Sequence, residues 1–381
     1  MVKIAGLDET SHRRYNPLSD TWVLVSPHRT KRPWQGAEET IPNTGLPSYD
    51  PKCYLCPNNT RSNGEQNPRY KETFAFINDF SAVKETQLEY VQPECVSDSP
   101  EADLLKASPE IGKCYVICFR PEHNLTLADL SHLDIVTVVD TWTNIYRSHL
   151  SPASPLLSNS KTNGNATRNG TIRGPQLSYM QIFENKGSAM GCSNHHPHGQ
   201  IWTTSYIPEE PARELRNLLS YHSRKNTHLL VDYCALELQK QERVVYSNAS
   251  FLVVCPWWAV WPFETMIIAR QHKRGLVDFS PKERLQLADA ISKTVVRYDN
   301  LFETSFPYTM GIHQAPLDCT EEEAEASHFH VHFFPPLLRS ATVKKFMVGF
   351  ELLGEPQRDI TPEQAAKLLR DCSDVLYRKK T

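Results

Sequence analysis

The sequence predicts an α+β fold, a mainly antiparallel sheet shared by two similar halves with helices packed on it. Three observations carry this. Strand-like runs follow one another in groups, and helices are inserted between the groups, which favours an antiparallel architecture over a doubly wound parallel one. The run His196-Pro-His198-Gly-Gln200-Ile-Trp202 is echoed about 130 residues later by His328-Phe-His330-Val-His332-Phe-Phe334, a period too long for a solenoid but suited to two halves sharing a sheet. The chain has 381 residues, 40% of them hydrophobic, which is enough for one large domain or two ordinary ones with a real core.

The elements follow in chain order. Runs near 73–78, 113–120, 178–184, 198–206, 251–255, 265–270, 308–313, 329–334 and 345–351 read as strands. Ser131 with Asp134 makes a helix cap, and Ile135, Val139, Trp142 and Tyr146 then fall on one face. A further helix is expected near 209–240. Ser280, Pro281 and Glu283 make a start signal for a helix burying Leu287, Ile291 and Val295. Thr361, Pro362 and Gln364 start the last helix, with Ala365, Leu368, Leu369, Cys372 and Leu376 as its buried side. Segment 151–176 is rich in Ser, Asn, Thr and Gly, cannot bury a face, and reads as a mobile loop. The Pro-rich stretch 41–57 and the acidic tract Glu321–Glu325 read as shorter breaks.

Bulk numbers exclude some classes. Formal net charge is −3, so no global basic field draws nucleic acid or an anionic membrane, and an anionic substrate must be met by local Arg and Lys. No apolar run approaches the length of a membrane span. The N-terminus turns polar at once and shows no secretory h-region. On that reading the ten Cys are reduced thiols or metal ligands in a cytoplasmic protein rather than a disulfide scaffold.

The alternating motifs carry the chemistry. In a strand, residues i, i+2 and i+4 share a face. His196, His198 and Gln200 therefore line one face, beside the small-residue turn Met190-Gly191-Cys192-Ser193-Asn194, which could hold a phosphate. His328, His330 and His332 fit the H-φ-H-φ-H-φ-φ pattern at every position, and a purely metal-binding cluster stays open for this half. Cys53-Tyr-Leu-Cys56 alone is a redox pair, a zinc half-site or nothing.

With these residues in view, the sequence resembles the galactose-1-phosphate uridylyltransferases, the nucleotidyl-transferring branch of the histidine-triad superfamily. The matching stretches are SPHRTKRPWQG (26–36), FINDF (76–80), FENKGSAMGCSN (183–194), HPHGQIW (196–202), PWWAVWPFET (256–265), SFPYTMGIHQAP (305–316) and HFHVHFFPPLLRSATVKKFMVGFE (328–351). They run in order along nearly the whole chain. The resemblance implies two histidine-triad-like halves, 1–207 and 208–381. It implies transfer of the uridylyl group of UDP-glucose to galactose 1-phosphate by a ping-pong mechanism, with His198 as the nucleophile that carries the group. Gln200 stands where hydrolytic members of the superfamily carry a third His. An amide can donate to a phosphate oxygen but cannot act as a general acid or base near neutral pH.

The resemblance also implies the remaining site. Cys53, Cys56, His123 and His196 would bind Zn²⁺, and Glu214, His313, His330 and His332 a second metal, Fe²⁺ or Zn²⁺. Arg29 and Arg32 would meet phosphates, Asn78 and Asp79 the uridine, and Asn185, Cys192, Ser193 and Gln200 the α-phosphate region. Lys345, Phe346, Glu351 and Gln357 would bind the hexose phosphate, some of them across a homodimer interface. Two departures stand out. His195 replaces the Pro often found before the HPH motif, and the polar insert 158–173 has no counterpart in compact members. An adenylyl-transferring relative such as a dinucleoside-polyphosphate phosphorylase would share His198. A zinc-bearing nucleic-acid-binding protein would instead need a second C-x-x-C and a basic stripe, which this sequence lacks.

Overall fold

A computed structural model describes residues 6–7, 9–31, 45–86, 99–157 and 177–379. Its strands are β1 (His12–Asn16), β2 (Thr21–Val25), β3 (Phe74–Ile77), β4 (Cys114–Cys118), β5 (Tyr179–Lys186), β6 (His198–Thr204), β7 (Val244–Ser247), β8 (Phe251–Val254), β9 (Thr265–Ala269), β10 (Tyr308–His313), β11 (His330–Phe334), β12 (Leu337–Ser340), β13 (Val343–Lys344) and β14 (Gln357–Arg358). Its helices are α1 (Pro100–Leu104), α2 (His132–His149), α3 (Glu209–Lys225), α4 (Leu229–Lys240), α5 (Pro281–Leu301), α6 (Glu321–Ala326), α7 (Phe350–Leu353) and α8 (Pro362–Arg370).

Nine strands form one sheet in the order β3-β4-β6-β5-β10-β11-β9-β8-β7, and each neighbouring pair is antiparallel. The order repeats outward from its middle. From the β5–β10 seam, one side runs β5, β6, β4, β3 and the other β10, β11, β9, β8. Of these four strands in each half, two precede a long helix, α2 or α5, and two follow it. β6 and β11, which carry the alternating histidines, therefore occupy matching places. This is the α+β architecture that the sequence predicts.

One face of the sheet makes the main core. Ile117, Ile182 and Ile201 meet Ile135, Val139, Trp142 and Tyr146 of α2, and Ile267, Met310, Val331 and Phe333 meet Leu287, Ile291 and Val295 of α5. Both helices start in capping boxes, Ser131 with Asp134 and Ser280 with Glu283, each worth about 1 kcal/mol. Each buried Leu, Ile or Val contributes roughly 1.5–3 kcal/mol. Because strand side chains alternate, burying Ile201, Val331 and Phe333 on the helix side turns His198, Gln200, His330 and His332 to the other face. The register sets them in rows. Gln200 pairs with Phe183, Phe183 with Gly311, and Gly311 with His332. Three strand spacings separate the ends of that row, about 15 Å.

Several expected elements differ. Segment 345–351 is not a strand; the chain leaves β13 at Lys344, turns at Gly349 with φ 55°, and enters the short helix α7. Phe346, Val348 and Phe350 stay exposed, and among the described residues no strand pairs with this segment. The helix expected over 209–240 is two, broken where Asn226 adopts φ 52°. α8 stops at Arg370; Leu368 is exposed, Cys372 lies past the helix end, and Leu376 is buried from the turn that follows. The acidic tract is helix α6, capped by Thr320 with Glu323. The loop and insert expected over 151–176 lie, from 158 onward, outside the described residues, as does Arg32. A small sheet, β1-β2-β14, with β14 parallel to β2, carries Gln357.

Candidate active site and metal clusters

His198 opens β6. Its Nδ1–H donates to the carbonyl of His196 at 2.8 Å, which fixes the tautomer and leaves the Nε2 lone pair free. Burial pushes the His198 pKa below its ordinary value, so the ring is neutral at neutral pH. The sharp approach needs Gly199: a Cβ there would meet the Phe119 ring at 2.9 Å and the Phe183 carbonyl at 3.0 Å. The imidazole that results is oriented, neutral and partly open to solvent, as a nucleophile requires.

Two amides flank it with their carbonyl oxygens already engaged. Trp202 Nε1–H donates to Gln200 Oε1 at 3.1 Å, and Thr309 Oγ1–H donates to Asn185 Oδ1 at 2.9 Å. Each is left with its NH₂ group to donate. Asn185 lies two residues along β5 from Phe183, the partner of Gln200, so it shares the His198 face. Such donors suit the oxygens of a phosphate. The orienting roles of Trp202 and Thr309 were not drawn from the sequence, although Trp202 ends the HPHGQIW motif two residues from Gln200.

The turn before β6 is built on Gly187 and Gly191, both at positive φ. It presents Ser193 to solvent, while Cys192 Sγ–H donates to the Asn194 carbonyl. Asn194 is buried and ties this turn to the cysteines. Its Oδ1 accepts from the His196 N–H at 2.9 Å, and its Nδ2 donates to Cys53 Sγ at 3.3 Å. Nothing in the sequence pattern marked that bridge.

Cys53, Cys56, His123 and His196 converge as expected, with their donor atoms all within 4.8 Å of one another. Cys56 Sγ stands 3.7 Å from His123 Nδ1 and 3.6 Å from His196 Nδ1. A tetrahedral zinc with ordinary Zn–S and Zn–N bonds would set S and N about 3.5 Å apart. Cys53 Sγ also accepts the Leu55 N–H at 3.4 Å. The donor set fits Zn²⁺. Tyr70 completes the group: its hydroxyl donates to the Leu55 carbonyl at 2.7 Å and accepts from His196 Nε2–H at 2.9 Å, which leaves Nδ1 of His196 unprotonated toward the cysteines.

Glu214, His313, His330 and His332 also converge. Glu214 reaches down from α3, with Oε2 2.7 Å from His313 Nδ1 and 3.3 Å from His330 Nε2, and Oε1 3.5 Å from His332 Nε2. Burial would raise the Glu214 pKa, but His313 and its two companions hold it well below the usual carboxylate range. His330 Nε2 and both nitrogens of His332 are buried without hydrogen-bond partners. Orphaned imidazole nitrogens around one carboxylate fit a divalent ion.

The other residues named from the sequence make contacts of their own. Arg29 is half-exposed, with Nε 3.3 Å from Asp359 Oδ1. Asn78 caps its own turn, its Oδ1 accepting from the Phe80 N–H. The Asp79 side chain is largely covered, with Oδ1 3.4 Å from Arg61, so it is already paired. Lys345 pairs with Glu351 at 2.7 Å, Phe346 is exposed, and Gln357 is buried, its Nε2 donating to Asp359. Among the described residues no hydrogen bond or ion pair joins Lys345, Glu351 or Gln357 to His198, Gln200 or Asn185.

Comparison with known proteins agrees across the chain. Residues 3–208 match the family described as galactose-1-phosphate uridyl transferase, N-terminal domain, and residues 214–381 its C-terminal domain. The chain is similar to the galactose-1-phosphate uridylyltransferase of Neurospora crassa, 59% identical over 98% of each chain. The enzyme of that name from Saccharomyces cerevisiae is 49% identical over 96% of each, and that from Haemophilus influenzae 47% identical over 98% of this chain and 97% of its own. Among solved structures, one titled a uridylyltransferase superposes with TM-score 0.69 at 22% identity, covering 97% of this chain and 99% of its own. An ADP-glucose phosphorylase from Arabidopsis thaliana superposes at 0.68 with 19% identity, covering 96% and 100%. These two establish the shared fold.

Proposed function

This chain belongs to the galactose-1-phosphate uridylyltransferase family, and we propose that His198 is the residue on which its reaction turns. The enzyme is a nucleotidyltransferase that moves the uridylyl group of UDP-glucose to galactose 1-phosphate, giving UDP-galactose and glucose 1-phosphate. In our reading Nε2 of His198 attacks the α-phosphorus of UDP-glucose. The bond to the bridging oxygen breaks and glucose 1-phosphate leaves. A phosphate oxygen of galactose 1-phosphate then attacks the same phosphorus and the P–N bond breaks, freeing Nε2. Two easier displacements replace one hard one.

The observation that carries the assignment is the Nδ1–H bond from His198 to the His196 carbonyl, which aims a neutral Nε2 outward. Gln200 and Asn185, with their oxygens held by Trp202 and Thr309, supply N–H donors for the α-phosphate oxygens as charge builds on them. Cys192 and Ser193 sit in the turn beside them. Arg29 and Arg32 suit the phosphates, and Asn78 and Asp79 the uridine, with Asp79 exchanging its Arg61 contact for ribose hydroxyls.

Cys53, Cys56, His123 and His196 would hold zinc, and Glu214, His313, His330 and His332 iron or zinc. The first ion would stiffen the segment entering β6 and needs no part in the bond changes. We divide the chain into halves 1–207 and 208–381, the second adding the hexose-phosphate contacts Lys345, Phe346, Glu351 and Gln357. Their local pairing, Lys345 with Glu351 and Gln357 with Asp359, and the exposed run Phe346, Val348, Phe350, Leu352 and Leu353 support a homodimer in which they complete the partner's site. Among the described residues no disulfide forms and no helix is long and apolar enough to cross a membrane. We read the chain as a cytoplasmic enzyme whose partners are the two sugar nucleotides and sugar phosphates rather than nucleic acid or membrane. Incubation with UDP-glucose labelled in the uridylyl group tests the core of this. Acid-labile label on His198, discharged by galactose 1-phosphate, is expected; label on another residue, or none under single turnover, contradicts it.

A further inference from the structure

The sheet's internal repeat points to a site outside both clusters. Cys118 of β4 pairs with His198, and Ile268 of β9 pairs with His330. The next residues repeat the same backbone bond, Phe119 N–H to the Pro197 carbonyl and Ala269 N–H to the Phe329 carbonyl. The chain beyond β9 thus corresponds to the chain beyond β4. His272, four residues past Ile268, takes the place of His123, five past Cys118. His328, two residues before His330, takes the place of His196. The ring centroids agree, 5.6 Å apart for His123 and His196 and 5.8 Å for His272 and His328. The second half therefore keeps both histidines of the first cluster.

Where the first half adds two cysteines, the second adds His228, just before α4, and Glu325, from α6. Glu325 Oε1 stands 3.7 Å from His228 Nε2 and 3.8 Å from His272 Nδ1. The ligand atoms of all three lie within 4.8 Å of one another. Nitrogen and oxygen ligands around tetrahedral zinc sit about 3.3 Å apart, so each of the two Glu325 distances exceeds that spacing by about half an ångström. His272 Nε2–H donates to the Ser327 carbonyl at 2.9 Å, which fixes its tautomer and leaves Nδ1 as a lone pair on the Glu325 side. Nδ1 of the fully buried His328 has no hydrogen-bond partner.

We propose that His228, His272 and Glu325 form a third metal site, open to solvent at its fourth position, that takes a divalent ion of the zinc class. Two imidazoles and one carboxylate suit that ion. The rings of His228 and His272 stack 3.7 Å apart at 3°. An ion lies in the plane of each imidazole that binds it, so loading turns one ring out of the stack. The bound ion holds His272 against Ser327, and the next residue, His328, offers its carbonyl to His330 Nδ1 at 2.7 Å. It would brace the entry to β11 as the first cluster braces the entry to β6.

Equilibrium dialysis of the purified enzyme against Zn²⁺, with metal counted by elemental analysis, tests this. The wild type is expected to hold one ion per chain more than a His228→Ala, Glu325→Ala double variant. The difference carries the result, so it stands whether or not the other two clusters are full. Cys53→Ser should lower the count while leaving that difference intact. Equal counts in wild type and double variant overturn the site. Crystals of the wild type soaked in Zn²⁺ need no substitution; anomalous density within bonding distance of His272 and Glu325 supports the site, and density at the other two clusters alone overturns it.

Discussion

β6 and β11 place imidazoles alike and surround them differently. His198 and His330 each donate Nδ1–H to the carbonyl two residues earlier, at 2.8 and 2.7 Å. Each therefore turns Nε2 to the same face of the sheet. For His330 that nitrogen meets Glu214 at 3.3 Å, with His313 and His332 beside it. For His198, among the described residues, Nε2 has no hydrogen-bond partner, and the place of His332 is taken by Gln200, held by Trp202. One carboxylate from α3 and two imidazoles, His313 and His332, separate the set proposed to hold an ion from the nitrogen proposed to react. The electrostatics follow. Burial alone lowers His198, whereas His313, also pressed down by burial, is lifted above its ordinary value by Glu214.

The largest expected effect tests that division of labour. His198→Ala should lower uridylyl transfer by about a thousand-fold or more, since losing a nucleophile removes the covalent route. His330→Ala should lose the second metal but still form labelled uridylyl-enzyme in a single turnover. If both variants fail to form it while both remain folded, the two strands do not divide chemistry from structure as proposed.

Gln200 sharpens the comparison at the position where the motifs differ. Gln200→Arg keeps a donor but loses the acceptor for Trp202 and brings a longer, charged group against the covalent intermediate. Losing an aimed donor costs about 3–4 kcal/mol, a slowing of roughly a hundred- to a thousand-fold. Single-turnover rates of label uptake and discharge check this, with metal content unchanged. Gln200→His makes the first motif read like the second, and should let water compete with galactose 1-phosphate. Parent rates for both steps in Gln200→Arg would place Gln200 away from the phosphate.

The next effect falls on stability. Cys56→Ser should release the zinc proposed there and lower Tm by about 5 °C, the shift expected for a few kcal/mol in a domain of this size. Transfer measured well below the new Tm should fall much less than in Gln200→Arg. Differential scanning calorimetry and the transfer assay together decide it; an intact Tm with lost activity would give the cluster a chemical role.

Period-2 alternation was enough to place β5, β6, β10 and β11, and the caps at Ser131 and Ser280 were enough to place α2 and α5, because in each case the local pattern and the core agree. Segment 345–351 has strand composition, but among the described residues no strand pairs with it, and pairing is not a local property. The metal clusters followed from family resemblance, since Cys53 and Glu214 lie far along the chain from their companions and no spacing rule connects them. Asn194, Trp202, Thr309 and Tyr70 stayed hidden because each acts by orienting another side chain. His228, His272 and Glu325 stayed hidden because they share no motif; the matched registers of β4 and β9 relate only His272 to the first cluster, and the fold alone brings His228 and Glu325 to it.

The smallest expected effect concerns one of those orienting groups. In the first half His196 is held from outside by a side chain, the Tyr70 hydroxyl at 2.9 Å. In the second half its counterpart His328 is held by a backbone carbonyl, that of Ala269, at 2.7 Å from Nε2. The first arrangement can be altered by substitution and the second cannot. Tyr70→Phe removes the hydroxyl but keeps the ring that stacks on Phe74. His196 Nε2–H then loses its acceptor and the Leu55 carbonyl its donor, so the imidazole is less firmly fixed in the tautomer that faces the cysteines. Losing such an outer partner weakens metal binding by about ten-fold or somewhat more. Tyr70→Phe should therefore give up zinc to a chelator at correspondingly lower concentration, yet transfer uridylyl groups at the parent rate when zinc is saturating. Unchanged resistance to the chelator would mean that Asn194 and the cysteine turn fix His196 without help, and that the contrast between the two halves ends at the ligands themselves.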